Sequence, residues 1–161
     1  MRHPVRSMIL ALLLAACNGA EGKMRSADAI IDHVVVTIDI PDGLESGGIP
    51  GGLAIRRVGA EQTRRLYEMT LTAAGQASPI PLDRTHGTGA DAIRYGLTQE
   101  AGGSGGDEVT LIAERRCGTL PLRLRLDTQA EEGGTFDPIP VLAMLAGARC
   151  SPAAGGTSKA G

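Results

Sequence analysis

The sequence predicts a mainly β fold, a small antiparallel β-sandwich or barrel with one short C-terminal helix; an α+β arrangement is the fallback. Three observations carry this. Leu120 to Asp127 (LPLRLRLD) alternates strictly, with Leu120, Leu122, Leu124 and Leu126 on one face and Pro121, Arg123, Arg125 and Asp127 on the other. Val109, Leu111 and Ala113 alternate in the same way and can be laid against that run as a hairpin. The one clear helix signal stands at the far end, from Asp137 to Arg149.

Taken in chain order, Val34 to Ile40 (VVVTIDI) is rich in β-branched residues and stops at the turn signal Pro41-Asp42-Gly43. His33 opens this strand and reads as structural. Leu53 to Val58 is the next strand candidate. Ala60 to Thr72 carries two patterns: Tyr67, Met69 and Leu71 alternate, while Glu61 with Arg65 and Arg64 with Glu68 are helical i,i+4 pairs. A strand from about Arg65 is the favoured reading. Ile93 to Thr98 places Ile93, Tyr95 and Leu97 on one face. For the hairpin, setting Leu111 against Leu124, Val109 against Leu126 and Ala113 against Leu122 brings every apolar residue to one side, with Cys117 at the tip. Asp137 can cap a helix and Pro138 suits its first position. That helix would run apolar to Gly147, carry Cys150 back to the hairpin tip, and there be stapled to the sheet.

Composition excludes several activities. In 161 residues there are two Tyr, one Phe and no Trp, so platforms for stacking bases or sugars are missing. After residue 17 the chain carries 14 basic and 18 acidic side chains, a formal charge of −4. A mildly acidic surface disfavours nucleic acid.

The N-terminus is a leader. Arg2, His3 and Arg6 precede the apolar run Met8 to Ala16 (MILALLLAA), which as a helix covers roughly 14 Å where a bilayer core needs about 30 Å. The run ends in Leu14-Ala15-Ala16-Cys17. This tetrapeptide resembles the lipobox of bacterial lipoprotein signal peptides, a resemblance confined to about the first 18 residues. It implies a diacylglyceryl group on the Cys17 thiol, cleavage between Ala16 and Cys17, and anchoring in a bilayer by two or three acyl chains. Asn18, where an Asp commonly retains such proteins in the inner membrane, favours the outer membrane facing the periplasm. The expected organisation is a signal peptide at 1–16, a lipidated tether at 17–27, one periplasmic domain at 28–150 and a disordered tail at 151–161.

Export decides how the remaining sulfurs read. In an oxidising periplasm Cys117 and Cys150 are expected to form a disulfide. Two free thiols, or a metal pair helped by His33 and His86, is the rival reading; zinc usually wants Cys-x₂₋₄-Cys spacing.

Catalytic signals are sparse. Gly102 to Gly106 (GGSGG) fits G-x-S-x-G, but a nucleophile elbow needs a helix after it and a histidine later in the chain, and none follows His86. Gly87 to Ala92 (GTGADA) loosely fits a dinucleotide fingerprint but lacks the strand–helix setting. His86, lying between Asp83 and Asp91, is the remaining candidate for a hydrolase or metal-dependent enzyme. No resident metal or cofactor is implied. Arg123 and Arg125, with Arg115 and Arg116, read as solvated faces that could also form a cationic stripe for an acidic envelope protein or peptidoglycan carboxylates. The leading functional expectation is a non-enzymatic binding or accessory module: an inhibitor, an immunity-type protein or an envelope-assembly factor. The enzyme centred on His86 and Asp91 and a purely structural envelope protein are the alternatives.

Overall fold

The computed structural model describes residues 23–59, 67–102 and 106–153. Cys17 and its tetrapeptide, Arg64 and Arg65, Ser104 and the last eight residues lie outside them. Among the described residues ten strands, all antiparallel, form two open sheets. The small sheet has the order β1 (Met24–Ile31), β2 (Val34–Pro41), β10 (Arg149–Pro152). The large one runs β3 (Leu44–Ile49), β4 (Gly52–Arg57), β5 (Tyr67–Ala73), β9 (Leu120–Ala130), β8 (Gly106–Cys117), β7 (Ile93–Gly102), β6 (Arg84–His86). Neither sheet closes on itself, so the sandwich expectation holds and the barrel does not.

Alternation builds the core. Val36, Ile38 and Ile40 of the small sheet face Ile55, Met69, Leu71, Leu111, Leu122, Leu124 and Leu126 of the large one, and all ten side chains are fully buried. Each such side chain contributes roughly 1.5–3 kcal/mol of burial free energy. Helix α1 (Ile139–Ala146) closes one end, inserting Val141, Leu142, Met144 and Leu145 into the same core. Its first turn is held by Asp137, whose Oδ1 accepts the Ile139 N–H at 3.0 Å, and it stops at Gly147.

Four expectations change. The β8–β9 hairpin pairs Leu111 with Leu126 and Ala113 with Leu124, two residues away from the predicted register. Cys117 pairs with Leu120 across the two-residue turn Gly118-Thr119, with Gly118 at φ +64, where a tight hairpin turn wants glycine. A shift of two preserves the faces, so apolar matching alone could not see it. The fold also begins earlier than the tether boundary: Met24 to Ala27 belong to β1, because small Ala27 and Ala29 point inward beside Ile31 while Ser26 and Asp28 point out. At the other end Ser151 and Pro152 belong to β10, paired with Val35 and Val34. Finally, His33 is not in a strand. With Asp32 it forms the β1–β2 turn, the two residues at φ +64 and +47, a region open to Asp and His more than to bulky side chains.

Cys117 and Cys150 are bonded, with Cα atoms 5.8 Å apart. Cys150 sits in β10 rather than at the end of the helix, so the bond joins sheet to sheet. A second tie runs from Arg25 on β1, whose Nη2 donates to the Leu44 carbonyl of β3 at 2.6 Å.

Candidate functional site

The outward face of the large sheet carries its polar residues. Across it the ladder sets Glu45, Arg56, Glu68 and Asp127 in one row on β3, β4, β5 and β9. Arg56 pairs with Glu68 at 3.2 Å, whereas Glu45 makes no ion pair among the described residues. In the next row Gly47 stands opposite Ala54. With no side chain at Gly47 the surface dips into a depression of about 180 Å³, lined by Glu45, Ser46, Gly47, Gly48, Ile49, Ala54 and Arg56. A Cβ built on Gly47 would meet nothing within 4 Å. The far side of this face is covered instead. Gly96 is where the Ile80-Pro81 segment crosses the sheet, so closely that a Cβ there would collide with the Pro81 carbonyl. Ile112, opposite Gly96, is 1% exposed although it points outward.

A second recess opens at one end of the sandwich. Its volume is about 380 Å³, and it is lined by Met24, Asp39, Pro41 and Tyr67 with Pro140, Val141, Ala143, Met144 and Gly147 of the helix region. The guanidinium of Arg57 lies 5.3 Å from the centre of the Tyr67 ring, a cation–π contact. Burial pushes the Tyr67 phenol up, against the opposing effect of Arg57. Beside the recess Asp39 accepts from Ser26 at 2.6 Å and from both Arg149 Nη atoms at 2.8 and 3.0 Å. The Arg149 and Ser26 hydrogen bonds hold its carboxyl down at about 2.

The predicted arginine stripe is not assembled. Arg123 and Arg125 do share the outward face, but both are matched by carboxylates. Arg123 Nε donates to Glu114 at 2.7 Å, and its Nη2 also reaches the Gln76 carbonyl. Arg125 holds Asp127 at 2.7 and 3.0 Å. Burial raises the Asp127 carboxyl, but hydrogen bonds from Arg125 and Thr110 outweigh it and the net direction is down. Arg115 points the other way and donates to the Leu145 and Ala146 carbonyls at the end of α1, the first at 3.0 Å. Arg116 is exposed on β8.

The catalytic candidates lie on and beside the edge strand β6. His86 is half-buried at the end of the three-residue edge strand β6, and Asp83 and Asp91 are exposed. Among the described residues no three His, Cys, Asp or Glu side chains come together as a metal-binding group. The segment after Gly87 forms a short 3₁₀ turn, Gly89–Asp91, and then β7, not the helix a dinucleotide fingerprint needs. Gly102 and Gly106 close a β7–β8 hairpin. Both recesses escaped sequence reasoning, although signals for them existed. The helix IPVLAMLA carries no polar side chain, so any exposed face had to be apolar, and LESGGI bares its backbone at two adjacent glycines.

Residues 37–149 match the family model of the Type six secretion immunity 3 domain. The chain belongs to this family. None of the curated proteins matches it. The matched span of the Type six secretion immunity 3 domain runs from within β2 through the large sheet and α1 to the first residue of β10, and so includes the whole Gly47 depression and all of the second recess but Met24. Of the binding roles that the sequence left open, the immunity-type, non-enzymatic one is the role this family carries.

Proposed function

We propose that this protein is a lipid-anchored immunity protein of the bacterial envelope, which protects its cell by binding a toxic type VI secretion effector in the periplasm. The observation that carries the reading is the immunity-domain match over residues 37–149. The leader ending in Cys17 supports periplasmic anchoring, and a bonded Cys117–Cys150 pair is in keeping with an oxidising compartment.

The effector is bound by the outward face of the large sheet at β3 and β4. There the Gly47 depression accepts a side chain of the effector, and Glu45 offers a carboxylate, unpaired among the described residues, to a cationic one. Desolvated charges of opposite sign at an interface fix its register, while the surrounding polar rim adds little energy of its own. The test is co-purification of the tagged, mature chain with the type VI effectors of its own cell. A stable complex with one effector, weakened when Glu45 becomes Arg, is the expected result. Failure to retain any effector would overturn the proposal.

A further inference from the structure

Among the described residues four large apolar side chains are strongly exposed: Met24 at 56%, Ile30 at 66%, Val58 at 62% and Ile139 at 49%. Three of them gather at one end of the sandwich. Met24 begins β1, opposite Pro41 at the end of β2. Val58 follows β4 and donates its N–H to the Gly43 carbonyl at 2.9 Å, just beyond Pro41. Ile139 starts α1, beside the Pro140 and Ala143 that line the 380 Å³ recess with Met24, Pro41 and Tyr67. Ile30 is at the opposite end, next to the Asp32-His33 turn.

The same end is where the chain arrives from Cys17. Only six residues, 18–23, separate Cys17 from Met24, and six residues span at most about 20 Å. A domain of this size has a radius of gyration of about 14 Å, so a tether that short cannot let the domain turn freely end over end above its anchor. An apolar end held that close to a bilayer has one surface available to it before any other.

We infer that the end formed by Met24, Val58, Ile139, Pro140 and Ala143 rests on the phospholipid surface, leaving the β3–β4 face directed sideways and free for the effector. This rests on the reading of Cys17 as a lipidated residue. Among the described residues Lys23 and Arg57 lie at this end, but so do the exposed Asp42 and Asp137, so the contact is apolar and does not need anionic lipid. The apolar side chains enter the headgroup–acyl boundary to a shallow depth, as those of interfacial helices do.

The chain has no Trp, so one introduced Trp reports alone. Ile139→Trp and, as a control at the other end, Ile30→Trp are prepared in the mature protein purified from bacterial membranes. Each is reconstituted in phosphatidylethanolamine vesicles containing lipid brominated near the headgroup. The expected result is strong quenching and a blue shift for Ile139→Trp, little of either for Ile30→Trp, and loss of the difference when Met24 and Ala143 are both changed to Glu while the protein still floats with the vesicles. Protein that floats but shows equal quenching at both ends overturns the inference and leaves the anchor standing. Protein that does not float overturns both. A blue shift at Ile139→Trp without lipid quenching would mean that protein covers this end, whether the effector or a second copy, and would also overturn it.

Discussion

Arg115 ties the C-terminal helix to the large sheet. The last carbonyls of a helix have no partner within it, and a cation placed there gains from the helix dipole as well as from hydrogen bonding. Arg115 reaches the Leu145 and Ala146 carbonyls from β8, which makes it a structural residue rather than part of a binding stripe. Arg115→Ala is expected to cost about 1.5–3 kcal/mol, the usual range for a charged hydrogen bond, read as a lower urea midpoint with an unchanged slope. Asp39 gives the second prediction at this scale. Its carboxyl is lowered from 3.8 to about 2 by Arg149 and Ser26, so its stabilising effect is complete above the unfolded value and is lost as pH falls through about 2. In Arg149→Ala the Asp39 carboxyl resonance should titrate at higher pH than in the wild type, since the largest lowering contact is gone while Ser26 remains, and acid unfolding should begin at higher pH.

At the level of elements, the disulfide is the strongest single constraint. It joins β8 to β10 across the two sheets over a sequence separation of 33, and closing a loop of that length restricts the unfolded chain by about 3–4 kcal/mol in the chain-entropy model. Reduction, or Cys117→Ser with Cys150→Ser, should lower stability by that amount in chemical denaturation, and adding reductant to the double variant should change nothing further. The elements legible in the sequence were those that alternate with large apolar residues, β2, β4, β5, β7, β8 and β9, together with the helix α1. β1, β3, β6 and β10 were not, for separate physical reasons. β1 buries small alanines, β3 is an edge strand with adjacent glycines, and β6 and β10 are only three and four residues long. The hairpin faces were readable because alternation fixes parity. Its register was not, because a two-residue turn differs from a longer one by an even shift that parity cannot detect. The second recess stayed hidden for a further reason: it is made by elements distant in sequence, Met24 and Tyr67 with α1, whereas the first lies within the β3–β4 hairpin and was missed because β3 itself was not read as a strand.

For the whole molecule, two surfaces divide the work proposed for it. The apolar end is set by where the tether joins β1, and the polar β3–β4 face is set by the ladder that brings Glu45 beside Arg56. Because a Cβ on Gly47 meets nothing, Gly47→Arg should fold like the parent protein while filling the depression and placing a cation beside Glu45. Its expected effect is at least a tenfold loss of effector affinity, or about 1.4 kcal/mol, measured by calorimetry at unchanged thermal stability. The most direct measurement of the account is survival. Cells lacking this protein are mixed with attacking siblings that have active type VI secretion, with and without the wild-type chain restored. Restoration should rescue the targets, and Cys17→Ser or Gly47→Arg should rescue them poorly. Equal survival with and without the protein would contradict the immunity role itself.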